Sequence, residues 1–328
     1  MDRVASFAAR LPSYIAGCVW SWQRAVEFSR WRVARDSRFL RNKSDHTQLV
    51  ARALVLWREN QAKWNAHLLH ETGALFMAPA VDDSQRASMQ ALTDAGLPFE
   101  HLTGSEAAKR FPQINFADRD SMVFEKQAGY LTSRRACETV MEGFVREGGT
   151  YRGLAVKPGL VRAGQMEGLA LSDGSKLRAD QYVFACGPWL GKMFPEEIGD
   201  CVLPARQLGL FFGIPPGAQS LQESACPVWL DAGSYYGIPG NDFRGFKIVG
   251  HTLSDDHDPA HPWDPDHSER VVPPERFRAP REYLGFRFPA SKDAPLASPA
   301  VGEWMADLVE GKKRTAPLFS LARFSAKK

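Results

Sequence analysis

The 328 residues predict a mixed α/β fold divided between two discontinuous domains. Three observations carry that prediction. Helical periodicity dominates the first stretch of the chain and its C-terminal end. Strand-like patterning dominates a block beyond Cys201. Between them, "YVFACGPWL" reads as an apolar strand running through a glycine turn into a helix, an arrangement that brings backbone close to a ligand at the carboxyl end of a sheet. A hydrophobic share of 44%, a charged share of 24% and a net charge of +3 are ordinary for a globular chain and give no reason to expect a nucleic-acid or membrane partner.

The elements follow in order. Residues 1–30 read as one or two amphipathic helices rich in Arg and Trp, and residues 1–43 hold nine Arg/Lys against three Asp/Glu. Asp2 and Glu27 argue against an organelle transit peptide, so a cytoplasmic location is expected. Residues 45–70 read as a helix, with Leu49, Val50, Ala53, Leu54 and Trp57 at three- and four-residue steps. "TGSEAAKRF" is a helix start. "LTSRRACETVMEGFVREGG" is a helix that Thr132 or Ser133 can cap. Cys137, Val140, Met141, Phe144 and Val145 form its expected buried stripe, and Gly148-Gly149 stops it. A hairpin about Asp173-Gly174 precedes the apolar strand Tyr182–Ala185. Strands then occupy "RQLGLFFGI", "CPVWLDA" and the hairpin "YYGIPGNDFRGFKIVGHT". In "SPAVGEWMADLVEG", Ser298 caps a final helix with Pro299 at its first position and Val301, Trp304, Met305 and Leu308 as its stripe.

Five scattered cysteines, Cys18, Cys137, Cys186, Cys201 and Cys226, are odd in number and include no CxxC pair, which fits a reducing compartment. No apolar run approaches the ~20 residues of a membrane-spanning helix.

Four groups of residues could carry chemistry. In "GFKIVGH", Lys247, Val249 and His251 share one face of a strand, and Phe246 and Ile248 share the other. Spacing alone favours a solvent-facing lysine; the alternative is a cationic pair in a cleft, where burial lowers a lysine pKa. The acidic and histidine-rich stretch 251–267 matches no strong metal motif and reads as a solvated loop rather than a metal site. In "RDSRFLR", Arg35, Arg38 and Arg41 are either surface residues or a clamp for a carboxylate or phosphate. The turn Cys186-Gly187-Pro188-Trp189 gains weight only from the strand and helix around it.

Taken together, "RDSRFLR", "QLVARALVLWRENQ", "GYLTSRRACETVMEGFVREGG", "YVFACGPWLGKMFP", "LPARQLGLFF", "YYGIPGNDFRGFKIVGHT", "DPDHSERVVPPERF" and the C-terminal helix resemble the FAD-dependent amine oxidases of the D-amino-acid oxidase superfamily, on the sarcosine oxidase and N-methyl amino acid oxidase branch. The similarity covers residues 32–328 and rests on the order and number of segments. It implies a discontinuous, Rossmann-like FAD-binding domain (residues 1–66, 130–200 and 284–328). It also implies an antiparallel or mixed-sheet substrate domain (67–129 and 201–283).

The implied activity is oxidation of the C–N bond of a small secondary amine or amino acid, with O2 as oxidant and an imine and H2O2 as products. The resemblance places Lys247 on an oxygen-activating lysine and His251 and Tyr236 on substrate-side positions. Arg38 falls beside the flavin ring, Arg41 on a substrate carboxylate, and Gly187 and Trp189 on the turn near the cofactor.

Three departures qualify these expectations. No GxGxxG occurs anywhere in the chain, and residues 1–31 hold no apolar strand to precede one. Near Leu284, "GFRFPASKDAPLA" stands where the family places a flavin-lining segment with a Cys-x-Tyr attachment and Ser-Gly-His-Gly-Phe-Lys. The branch's second carboxylate-binding lysine is also missing. A truncated and inactive oxidase, or a non-catalytic ligand-binding or interaction module built on the substrate domain, is therefore the alternative expectation. Residues 1–31 are expected to cover exposed sheet poorly or to pack as ill-anchored helices.

Overall fold

The computed structural model describes residues 18–20, 43–199, 202, 204, 207–232, 234–241, 244–254, 264, 266, 272 and 274–295. The C-terminal helix about Val301–Leu308 and the arginines Arg35, Arg38 and Arg41 lie outside them. So do residues 1–30 except for one short strand, β1 (Cys18–Trp20), which replaces the expected helix at those three positions.

A seven-stranded mixed sheet forms the centre. Its strands are β3 (Ala74–Ala78), β4 (Glu100–Leu102), β5 (Ser121–Glu125), β12 (Gln207–Phe212), β13 (Val228–Asp231), β14 (Tyr235–Ile238) and β15 (Phe246–Ser254). They stand in the order β12-β15-β14-β13-β3-β5-β4. All neighbours are antiparallel except β13 and β3, which run parallel with Val228 opposite Ala74. Apolar residues fill both faces, as expected of a central sheet covered on both sides. Leu75, Met77, Met122, Trp229, Phe246 and Ile248 build one core. Ala74, Phe76, Val123, Val228, Leu230 and Ile238 build the other, with Leu54, Leu68 and Tyr130.

Around the sheet lie α1 (Lys43–Trp64), α2 (Asp83–Asp94), α3 (Gly104–Arg110) and α4 (Ser133–Arg146). The expected start of α3 is a complete capping box: Thr103 N–H donates to the Glu106 carboxylate at 2.8 Å, and Glu106 N–H donates to the Thr103 hydroxyl at 3.4 Å. A second, three-stranded antiparallel sheet pairs β6 (Gly129–Leu131) with β1 on one side and β2 (Leu69–His70) on the other. The expected hairpin about Asp173-Gly174 joins β10 (Leu169–Leu171) to β11 (Lys176–Leu177), with β7 (Val156–Pro158) on its far side.

Three expectations are corrected. Tyr182–Ala185 is not a strand: it has no paired neighbour among the described residues, and Val183 is 91% exposed. Apolar residues in sequence form a strand only when a partner satisfies their backbone groups. Helix α4 is rotated from its expected register. It buries Ser133, Ala136, Thr139 and Gly143, and leaves Val140 and Val145 exposed. The cause is close approach: a side chain at Gly143 would lie 3.1 Å from the Trp64 ring, so the small-residue face is the one that meets the end of α1. On α1 the expected stripe is largely present, with Leu54 buried and Val50 and Trp57 packed against the same core, but Leu49 is 66% exposed at its edge and Thr47 is buried instead.

Candidate functional site

The hairpin β14–β15 is formed as expected, and it decides where Lys247 goes. Lys247 stands opposite Ile238 on β14 and Phe211 on β12. Residues opposite one another share a face, so Lys247 shares a face with Ile238, Phe211 and, two residues along, Tyr236. The other face holds the core of Phe246 and Ile248. Lys247 is only 3% exposed, and the solvent-facing reading that spacing favours is overturned. Its strand lies inside a sheet covered on both faces, which a five-residue pattern cannot register.

Lys247 forms part of the wall of a cavity of about 430 Å³. One side is the sheet, with Phe211, Ile238 and Lys247. The other is the junction of β6 with α4, contributing Tyr130, Leu131, Thr132 and Ser133. The turn between β14 and β15 closes a third side with Pro239, Asn241, Arg244 and Gly245. The Lys247 Nζ lies 5.9 Å from the centre of the Phe211 ring, within reach of a cation–π contact. Gly245 is needed for this turn. Its φ is +81°, and a Cβ there would stand 2.5 Å from the Phe212 carbonyl oxygen.

Behind the cavity wall lies a polar network that sequence reasoning missed. Glu223 accepts from the Tyr130 hydroxyl, and His70 Nδ1 lies 2.8 Å from the same carboxylate. Asn241 Nδ2 donates to the Tyr130 hydroxyl and reaches Glu223 at 3.4 Å. The His70 and Tyr130 rings stack at 4.6 Å. Burial raises the Glu223 carboxyl, but the hydrogen bonds of Tyr130, Asn241 and His70 and the charge of His70 outweigh it and leave its pKa below the usual value. Tyr130 and Asn241 thus present fixed polar atoms to the cavity. Tyr130 sits in "GYL" and Asn241 in the Pro-Gly-Asn-Asp turn, both in segments that the resemblance had drawn out. His70 and Glu223 carry no sequence signal.

The remaining candidates divide. Tyr236 is half-buried on the Lys247 face. His251 lies in β15, but its side chain is outside the described residues, as are Arg38 and Arg41. Gly187 and Trp189 form a tight 3₁₀ turn leading into α5 (Leu190–Met193), and Gly187 has φ +54°. Neither residue lines the Lys247 cavity. Instead Trp189 Nε1 donates to Asp266 at 2.7 Å, and Lys192 Nζ reaches Asp264 at 2.5 Å and Asp266 at 2.7 Å. Of the acidic stretch, residues 251–254 therefore belong to β15, and Asp264 and Asp266 are ion-paired with Lys192. No cluster of metal ligands occurs among the described residues. No helix among them is long and apolar enough to cross a membrane.

A family model described as "DAO: FAD dependent oxidoreductase" matches residues 15–308. The chain belongs to this FAD-dependent oxidoreductase family. The monomeric sarcosine oxidase of Arthrobacter sp. (strain TE1826) is 26% identical over 219 residues, covering 66% of this chain and 56% of that protein. The N-methyl-L-tryptophan oxidase of Yersinia pestis (strain Pestoides F) is 26% identical over 103 residues, 31% of this chain and 28% of the relative. The L-proline dehydrogenase structure from P. horikoshii superposes with a TM-score of 0.65 at 15% identity, over 84% of this chain and 76% of that one. The chain spans about half the length of the sarcosine oxidases it matches.

Membership makes FAD the cofactor of the family. The described residues fit it in part. A partly open cavity lined by Phe211, Ile238 and a buried lysine offers an apolar and a cationic wall of the kind a flat, electron-accepting ring system can use. The dinucleotide half finds no counterpart: no GxGxxG occurs in the 328 residues, and the segment before Gly187 is not a strand that could deliver a pyrophosphate turn.

Proposed function

We propose that this protein oxidises the C–N bond of a small secondary amine or amino acid of the sarcosine or N-methyl amino acid type. The observation that carries the reading is the burial of Lys247 in a cavity walled by two elements that the family resemblance drew out independently. The amine loses two electrons and two protons to become an imine, which water hydrolyses; O2 takes up the electrons and protons as H2O2. Bound FAD would supply the two-electron acceptor.

The chain's own residues supply charge and position. Lys247, if charged in this cavity, favours electron transfer to oxygen, because an ammonium held out of bulk water stabilises the negative charge that oxygen acquires. Tyr236, on the same sheet face, and His251, further along β15, are assigned to the substrate side. Arg41 is assigned to the substrate carboxylate, Arg38 to the cofactor ring, and Gly187 with Trp189 to the turn near the cofactor. Among the described residues Cys137, Cys186 and Cys226 are in no disulfide, which suits the cytoplasmic location included in this reading.

Purified protein incubated with FAD should gain a flavin absorption band and form peroxide in proportion to added N-methyl amino acid. Lys247→Met should lower the oxygen-dependent rate on the order of 10²-fold, the usual effect of removing one aimed electrostatic group. The missing GxGxxG and the unpaired segment before Gly187 favour a second reading, a non-catalytic module that uses the same cavity to hold a ligand. Protein that stays colourless with added FAD would select it.

A further inference from the structure

We propose that Asn241 is the residue that recognises the amine: its carboxamide oxygen accepts the N–H of a ligand in the Lys247 cavity, and Glu223 acts behind it as the positioning residue. The proposal rests on the reading of this cavity as the amine site.

Asn241 lies in the turn that closes the cavity and is only 6% exposed. Its amide can be set one way round. Nδ2 donates to the Tyr130 hydroxyl and lies 3.4 Å from the Glu223 carboxylate and 3.5 Å from His70 Nδ1. Burial raises the Glu223 carboxyl, but its hydrogen bonds and the charge of His70 hold it below its ordinary value. At neutral pH it is therefore a carboxylate, which only accepts. It takes the Tyr130 proton into its own hydrogen bond, and the phenol oxygen in turn accepts from Asn241. Turning the amide over would set Oδ1 against that carboxylate, so the network fixes which end is which.

Oδ1 is thereby directed away from the network, and no described residue donates to it. The buried side-chain atoms without a partner among the described residues are Trp64 Nε1, Thr139 Oγ1, Trp229 Nε1 and Arg287 Nε. Asn241 Oδ1 is not one of them, so it is not sealed inside the protein, and the space that Asn241 lines is the cavity. A fixed acceptor in such a wall discriminates between ligands. A ligand that desolvates it without a donor leaves it unpaired, whereas an N–H satisfies it. An ether oxygen or a quaternary nitrogen at the same place offers no N–H. The ligand class is thus a primary or secondary amine, held by an oxygen that needs no reorientation on binding.

The test is calorimetric titration of the full chain with N-methylglycine and with methoxyacetate, which keeps the size and the carboxylate but has an ether oxygen in place of the amine. Wild type, Asn241→Leu and Glu223→Gln are compared, and circular dichroism checks that each is folded. Wild type should bind N-methylglycine on the order of tenfold tighter, the usual size of one hydrogen bond to a charged donor. Asn241→Leu nearly keeps the volume and removes the acceptor, and should bring the two affinities together. Glu223→Gln can offer an N–H to the amide and so lets it turn over, and should lower the ratio by about threefold or more. A merely structural role for Glu223 would weaken both ligands alike and leave the ratio unchanged. If Asn241→Leu does not fold, Glu223→Gln carries the test. The proposal is overturned if N-methylglycine fails to bind at millimolar concentration, if wild type shows no preference, or if either folded variant keeps the wild-type ratio. No step requires flavin turnover. An Asn241-dependent preference without amine-driven peroxide would retire the oxidase reading and leave an amine-binding pocket. Amine-driven peroxide with the preference intact in Asn241→Leu would do the reverse.

Discussion

Asp231 is the residue whose loss should most damage the fold. It ends β13, and its carboxylate is fully buried. It accepts from Arg119 Nε at 2.6 Å, from the Tyr283 hydroxyl at 2.8 Å and from Arg287 at 3.0 Å. Arg287, on α6 (Arg278–Arg287), is itself 1% exposed, so this one carboxylate ties that helix to the central sheet. Asp231→Ala leaves a buried guanidinium and a buried phenol short of an acceptor. Breaking a buried pair from one side costs ~3–5 kcal/mol. The lower end applies, because Asp118, partly exposed, also reaches Arg287 at 2.8 Å and Arg119 at 2.7 Å and keeps some compensation. A loss of ~3 kcal/mol against a urea dependence of about 3 kcal/mol/M lowers the unfolding midpoint by ~1 M. Tryptophan fluorescence through a urea titration measures it. A midpoint within ~0.3 M of wild type would refute the argument. The paired change Asp231→Leu with Arg287→Met should recover much of the loss, since apolar residues replace a buried pair at little cost.

Three further outcomes are expected. Glu223 has a folded pKa below its ordinary 4.5, so its contribution is complete above that value and is lost as pH falls through the folded pKa; Glu223→Gln should flatten the fall in melting temperature measured from pH 6 to pH 3. Gly237→Ala places a Cβ 2.1 Å from the Lys247 carbonyl oxygen and 2.4 Å from the Trp229 ring, and should lower stability by roughly 1–3 kcal/mol in urea denaturation. Asp266→Asn removes one exposed partner of Lys192 and should barely move the melting temperature, with any difference vanishing in high salt; a large, salt-independent shift would give the Trp189 turn a structural weight that the exposure of this ion pair argues against.

Much of the fold was legible where the signal is local. The capping box at Thr103, the turn at Asp173-Gly174 and the β14–β15 hairpin each depend on a few neighbouring residues, and each is present. What depends on a distant partner was read less well. The apolar run Tyr182–Ala185 has strand composition without a paired strand. The stripe of α4 has helical periodicity, but Trp64 selects the small face instead. The Glu223 network joins residues 70, 130, 223 and 241, which no spacing rule connects. Family resemblance bridged part of that distance, because it drew together segments from different parts of the chain.

Lys247 shows why the two kinds of signal must be combined. A lysine alternating with valine on a strand is, by composition, a wet face. It is buried here because β12 and β14 flank it and α4 begins opposite it, so that its environment comes from residues about 35 and more than 100 positions away. Burying an ammonium is unfavourable unless charge or hydrogen bonding compensates. Lys247 is nevertheless only 3% exposed on the cavity wall. Core packing alone would favour an apolar residue at 247. The lysine is therefore better explained by the cavity it lines than by what holds the sheet together, which makes Lys247 the first residue to vary in a test for chemistry there.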